Sequence, residues 1–146
     1  MQDKLLWDDA YSLGIEEIDT QHKHLFEIAN RIFTLKSSSK VKEDIRDILY
    51  ELSDYVKEHF KDEEDYMSSI NFPYLEDHKQ EHQKIIGIVG SILDNNHRLD
   101  TIQTKMRMIA KRALVEHILH EDMKIKVYQE SLDEEDLDSE EYIVLD

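Results

Sequence analysis

The chain has 146 residues, one proline, three glycines and no cysteine, which suffices for a single domain and leaves no thiolate to bind a metal. Its 34 Asp and Glu against 18 Lys and Arg give a formal net charge of -16, which repels nucleic acid and anionic membrane surfaces. We expect no signal peptide, and no apolar run approaches the roughly 20 residues that span a bilayer, so we predict a cytoplasmic protein without nucleic acid or membrane partners.

The N-terminal segment "MQDKLLWDDAYSLGIEE" shows no sustained helical period. We therefore expect an arm that lies over the body of the protein, anchored by Leu6 and Trp7. Residues 17–36 then place apolar side chains at helical spacing, which predicts the first helix.

Three further apolar stripes predict helices over 41–67, 73–94 and 99–130. The connections "SSSK", "SSINFP" and "DNNHRLD" are short, which favours an all-α, antiparallel up-down-up-down four-helix bundle. Residues 131–146 are too acidic to join the core unless their "YIVL" docks somewhere, so we expect an acidic C-terminal tail.

Several histidines fall inside the apolar stripes rather than on the polar faces. His59 and Glu63 are four residues apart, as are His78 and His82, so each pair shares one face of its helix. His22 joins the stripe of the first helix, and His117 joins that of the fourth. The first and third helices carry these residues early and the second and fourth carry them late, so an antiparallel bundle brings them together near one end.

Burying five histidines and a glutamate costs free energy unless each polar group has a strong partner, and a shared metal ion would be such a partner. A lone inward histidine such as His22 is nevertheless more often a hydrogen-bonded core residue, so a purely structural bundle remains the alternative. We expect His24 and His97 on the surface, and the acidic runs 62–65 and 133–141 mostly to serve solvation.

Four motifs, "IDTQHKHLF", "HFKDEE", "HKQEH" and "HILHED", resemble in order and spacing those of the hemerythrin family, specifically the bacterial single-domain hemerythrins. The resemblance covers roughly residues 5 to 130, so we expect a domain over 1–130 and a tail over 131–146. It implies reversible dioxygen binding at a non-haem di-iron centre, for storage, delivery or sensing, by a protein that is not an enzyme. The implied metal ligands are His22, His59, Glu63, His78, His82, His117 and Asp122.

The resemblance also implies how the ligands divide between the two iron ions. His78, His82 and His117 would hold one iron and His22 and His59 the other, with Glu63, Asp122 and an oxo or hydroxo group bridging both. The second iron lacks one ligand and would receive dioxygen. Apolar residues one turn from the ligands would line the oxygen pocket, although they would be apolar in any bundle: Leu25, Phe60, Leu114 and Ile118.

The stretch "HILHED", residues 117–122, raises a conflict between periodicity and resemblance. An unbroken α-helix would favour Glu121 over Asp122, yet it would also turn Lys124 inward and Ile125 outward. One extra residue in a π-bulge would bring Asp122 toward His117 and Ile125 into the core. We therefore predict a distortion here, with Asp122 as the ligand and His120 and Glu121 outside the first coordination shell.

Other functions remain open from the sequence. A di-iron enzyme, such as a ferroxidase or a reductase of peroxide or nitric oxide, would use the same ligands. A signalling module would report the state of the iron to a protein partner through the arm or the acidic tail. We expect a monomer.

Overall fold

The computed structural model describes residues 5–94 and 98–133. Within them the chain forms four helices and no strand, which confirms the predicted all-α bundle. Helix α1 spans Glu16–Phe33, α2 spans Val41–Ser69 and α3 spans Leu75–Asp94. The fourth helix, α4, covers 99–133. Helices α1 and α3 each pack against both α2 and α4, so a single apolar core lies along the axis of the bundle.

The helix ends differ from the predicted ones by a few residues. Helix α1 ends at Phe33 rather than at 36. Helix α2 extends to Ser69. Two residues later, Asn71 adopts a left-handed conformation with φ of 55°. The amide of Phe72 then donates to the carbonyl of Met67 at 2.9 Å, which is the hydrogen bond of a Schellman cap. This cap turns the buried Phe72 toward the core and delays the start of α3 to Leu75.

Helix α4 is not a uniform α-helix. It is α-helical over Leu99–Ile109, π-helical over Ala110–Glu116 and Ile118–Asp122, and α-helical again over 123–133. Residues 131–133 of the predicted tail therefore continue this helix. The rest of that tail, 134–146, and His97 lie outside the described residues.

The N-terminal arm lies against the bundle, as predicted. The ring of Trp7 packs edge-on against Tyr11 and Phe26, with centroids 5.6 and 5.7 Å away. The backbone of Leu5 exchanges two hydrogen bonds with the side chain of Asn30. The prediction for Leu6 is wrong, since its side chain is 77% exposed. In an extended segment successive side chains point in opposite directions, so Leu6 turns outward between Leu5 and Trp7.

The arm is also fastened to the start of α1. The carboxylate of Asp19 accepts hydrogen bonds from the hydroxyl of Ser12 at 2.6 Å and from the amide of Leu13 at 2.8 Å. Leu13 is buried in the core.

Among the described residues, no helix has the length and the apolar character needed to cross a membrane.

Candidate metal centre

The seven residues predicted as metal ligands lie together inside the bundle, and all four helices contribute to the group. None of the seven is more than 6% exposed. Helix α1 supplies one of them and α2 and α3 supply two each. Helix α4 supplies two, one between its two π-helical segments and one at the end of the second. In chain order they are His22, His59, Glu63, His78, His82, His117 and Asp122.

Glu63 lies between two pairs of histidines. Its Oε1 is 3.0 Å from Nε2 of both His78 and His82. Its Oε2 is 3.3 Å from Nε2 of His59 and 3.4 Å from Nε2 of His22. The two oxygens of one carboxylate therefore face two separate groups of nitrogen atoms.

Asp122 divides its oxygens in the same way. Its Oδ1 is 2.9 Å from Nε2 of His78 and 3.1 Å from Nε2 of His117. Its Oδ2 is 3.2 Å from Nε2 of His22. Both carboxylates thus stand between a group of three histidines, His78, His82 and His117, and a pair formed by His22 and His59.

These donor atoms are close enough to share metal ions. One group has ligand atoms that all lie within 4.8 Å of one another, and so does a second, smaller group that shares Glu63 with the first. The first group is Glu63, His78, His82, His117 and Asp122, and the second is His22, His59 and Glu63.

Several of these buried atoms have no hydrogen-bond partner. Nε2 of His22 and Oδ2 of Asp122 are 3.2 Å apart but lack the geometry of a hydrogen bond. Nε2 of His59, Nε2 of His117 and Oε2 of Glu63 are also unpaired. Unpaired buried polar atoms are costly, and imidazole and carboxylate are donors that suit iron and related metals. The site therefore fits metal ions placed between the two carboxylates and the histidines.

The two buried carboxylates raise the pKa values of three nearby histidines. Burial lowers the pKa of His22, but the adjacent carboxylates of Asp122 and Glu63 outweigh burial and raise this pKa to about 9. The same balance raises the pKa of His78 to about 10 and also raises that of His117. Burial opposes ionisation of both carboxylates, yet the surrounding histidines hold their pKa values well below the usual range. The two buried carboxylates thus favour positive charge on their neighbours, and a bound metal ion would also supply positive charge.

Two of the histidines are held by side chains outside the cluster. The Nδ1 atom of His59 is 2.6 Å from Oε1 of Gln21, and the amide nitrogen of Gln21 donates to Asp62 at 2.8 Å. The Nδ1 atom of His82 is 2.7 Å from Oε2 of Glu64. Such outer hydrogen bonds fix the orientation of a ligand and which of its nitrogens is free to bind metal.

The sequence analysis missed these outer residues. It assigned the acidic run 62–65 mainly to solvation, which fits the exposed Asp65 but not Asp62 or Glu64. The available signal was their position, because both adjoin Glu63 and therefore lie on either side of an inward-facing residue.

The residues predicted to line an oxygen pocket are buried: Leu25, Phe60, Leu114 and Ile118. The ring of Phe60 stacks on that of His82, with centroids 3.7 Å apart and planes within 3°. It also lies near the rings of His59 and His117, at 5.7 and 6.0 Å. Phe60 thus covers histidines of both groups, rather than those of one metal position alone.

The structure has the predicted distortion in "HILHED". Asp122 is 1% exposed, whereas His120 is exposed and Glu121 is partly exposed beside Lys124. Ile125 is fully buried. In a π-helix residues five apart share a face, which brings Asp122 below His117.

The π-helical region of α4 is longer than predicted. It begins at Ala110, since a first π-helical segment, Ala110–Glu116, precedes the segment that contains Asp122. The apolar positions before His117 also fit an α-helical period, so they give no sequence signal of a distortion.

His24 is a surface residue as predicted, with its side chain 43% exposed next to Glu27.

Comparison with known proteins places this geometry in context. A family model described as the hemerythrin HHE cation binding domain matches residues 13–127. A bacteriohemerythrin of Clostridium acetobutylicum is 38% identical over 122 residues, which cover 80% of this chain and 95% of that protein. A bacteriohemerythrin of Campylobacter jejuni is 31% identical over 120 residues, covering 82% of this chain and 90% of that protein.

A third relative shows a similar level of identity. The hemerythrin-like protein of Naegleria gruberi is 33% identical over 120 residues, covering 82% of this chain and 89% of its own. No solved structure gives a significant match. The similarity to these relatives thus extends over most of each chain and is not limited to the histidine motifs.

Proposed function

This chain belongs to the hemerythrin family, and we propose that it binds dioxygen reversibly at a centre of two iron ions. The observation that carries the proposal is the placement of the two buried carboxylates. Glu63 and Asp122 each turn one oxygen toward the three-histidine group and the other toward the pair of His22 and His59. A carboxylate placed in this way is suited to bridge two cations.

The proposed ligand assignment follows these distances. His78, His82 and His117 would hold one iron, and His22 and His59 would hold the other. Glu63 and Asp122 would contribute one oxygen to each iron. The iron at His22 and His59 would then have one protein ligand fewer than its neighbour, which would leave a position for a small molecule.

The surroundings favour reversible binding over further chemistry. When bound, ferrous iron would supply the electrons that dioxygen takes up on binding and returns on release. Five neutral imidazoles and only two carboxylates favour the ferrous state more than a carboxylate-rich site does. The buried Phe60, Leu25, Leu114 and Ile118 would keep water and protons away from the centre, and the low polarity of such a shell affects both redox potential and solvent access.

Anaerobic loading with Fe²⁺ followed by exposure to oxygen tests the proposal. We expect two iron ions per chain and an absorption band in the visible range that appears with oxygen and disappears when oxygen is removed, over repeated cycles. One iron per chain, or a single irreversible change, would contradict the proposal. Sustained turnover of peroxide, nitric oxide or ferrous iron in the presence of a reductant would identify a di-iron enzyme instead.

The biological role, the oligomeric state and the cellular location also stay predictions. A storage or delivery role requires no other protein, whereas a sensing role requires a partner whose binding differs between the oxygenated and deoxygenated states. Sedimentation of the iron-loaded protein tests the expected monomer, and cell fractionation tests the expected cytoplasmic location.

A further inference from the structure

Three consecutive acidic residues of α2, Asp62, Glu63 and Glu64, contact three different parts of the bundle. Glu63 reaches the centre, where it is fully buried. Asp62 turns toward α1, where its carboxylate accepts a hydrogen bond from Gln21. Glu64 turns toward α3, where its carboxylate lies 2.7 Å from Nδ1 of His82. Since successive helical residues point about 100° apart, one run of three acids serves the centre and both of its flanks.

The contact of Asp62 determines where the proton of His59 lies. A carboxylate can only accept, so the amide nitrogen of Gln21 must face Asp62. The amide oxygen of Gln21 then faces His59, and this oxygen can also only accept. Nδ1 of His59 therefore carries the proton, and Nε2 is left for a metal ion.

The contact of Glu64 has the same effect on His82 by a shorter route. Its carboxylate accepts directly from Nδ1 of His82, which leaves Nε2 of that ring directed at Glu63, 3.0 Å away. The two histidines differ in one respect, because His82 donates to an anion and His59 donates to a neutral amide. Hydrogen bonds to an ionised acceptor are stronger, and they make the imidazole a better metal ligand.

We propose that Asp62 and Glu64 are positioning residues of the metal centre, each fixing the proton of one histidine, and that the anionic acceptor on His82 adds to the tighter binding expected at its three-histidine position. The inference rests on the proposed two-metal centre. Asp62 acts through Gln21, whereas Glu64 acts without an intermediate.

Anaerobic titration with Fe²⁺ against a competing chelator tests the inference in three variants. Glu64→Gln keeps the shape of the side chain and removes its charge, and it should weaken the tighter of the two iron sites by about tenfold. Asp62→Asn allows the Gln21 amide to turn over, and it should weaken the other site by a similar factor. Asp65→Asn is the matched control from the same run, because Asp65 is 67% exposed and pairs with the exposed Lys61. Both dissociation constants of this variant should equal those of the wild type.

A rescue variant separates positioning from a merely structural role. In Asp62→Asn combined with Gln21→Glu, the carboxylate at position 21 again accepts from His59 and also accepts from the new amide at position 62. This double variant should recover the affinity that Asp62→Asn loses, whereas a structural defect would persist or worsen. Thermal unfolding of the metal-free variants confirms that each is folded.

The outcomes separate the two proposals. A wild-type chain that binds fewer than two iron ions overturns the proposed function and this inference with it. A wild-type chain that binds two, with affinities unchanged in Glu64→Gln and Asp62→Asn or with no recovery in the double variant, overturns only the positioning roles.

Discussion

Glu63 and Asp122 are carboxylates with at most 1% exposure, a state that requires compensating positive charge. Part of the compensation comes from His22, His78 and His117, whose pKa values the two carboxylates raise. Removing one carboxylate leaves charge and hydrogen-bonding capacity without a partner in the interior. These two acids should therefore be far less tolerant of substitution than the exposed acids beside them.

Asp122→Asn tests the choice between the two acids of "HILHED". The change preserves volume but removes the charge and one of the acceptors that face His22 and His117. Iron affinity should fall by at least about tenfold, the loss typical of even an outer partner. Glu121→Gln is the control, since Glu121 is partly exposed. Equal losses in both variants, measured as iron per chain after dialysis against a chelator, would contradict the assignment.

Phe60→Ala should destabilise the metal-free protein by about 3 to 5 kcal/mol, the cost of deleting a buried aromatic ring and leaving a cavity. Its ring stacks on His82 at 3.7 Å, so the loss also frees that histidine. Urea unfolding measures the change. Tyr50→Ala, at a side chain that is 56% exposed, should stay within about 0.5 kcal/mol of the wild type; a similar effect of both substitutions would argue against a packing role for Phe60.

At the scale of the element, α4 combines two functions that conflict in an ideal helix. It must present His117 and Asp122 together although they are five residues apart, and it must still bury Ile125. The π-helical segment Ile118–Asp122 reconciles these requirements. Glu121 and Lys124 then point to solvent as an ion pair.

Deleting Leu119 should therefore be tolerated. The deletion places His117 and Asp122 four residues apart, and an ordinary α-helix brings residues at this spacing to one face. We expect the variant to retain two iron ions per chain. Deleting the exposed Lys57 from the regular helix α2 should abolish binding, because it rotates the chain before it by about 100° relative to His59. Loss of iron from both deletion variants would show that the π-helical segment does more than bring His117 and Asp122 to one face of the helix.

The sequence predicts the four helices and the buried cluster because a 3.6-residue period is visible in any stripe of apolar residues. His22 and Glu63 were found in this way. Helix ends are harder to predict from the sequence, since the cap at Asn71 depends on a backbone conformation. Gln21 and Glu64 were missed because their hydrogen bonds depend on the relative depth of neighbouring helices, which a period within one helix does not determine.

At the scale of the whole molecule, the cluster connects all four helices at one level of the bundle. Without metal, several of its buried atoms lack hydrogen-bond partners. Any metal that binds there favours the folded chain, since the unfolded chain does not assemble the site. Stability and metal content should therefore change together.

Removing metal should lower the melting temperature of the whole protein rather than loosen one helix. At free metal concentrations about 100 times the dissociation constant, the expected stabilisation is about 2.7 kcal/mol for one site. Circular dichroism melts with and without a chelator measure the difference. The same comparison in Asp122→Asn should show a smaller difference, and an equal one would place the stabilising metal elsewhere.

The five-residue separation of His117 and Asp122 also matters to anyone who would rebuild this centre in a synthetic protein. Design with ideal α-helices permits ligand pairs three or four residues apart and excludes this pair. A designer copying the seven side chains onto such a scaffold would place Asp122 on the outer surface. The transferable unit is therefore the set of seven side chains together with the irregular backbone of α4.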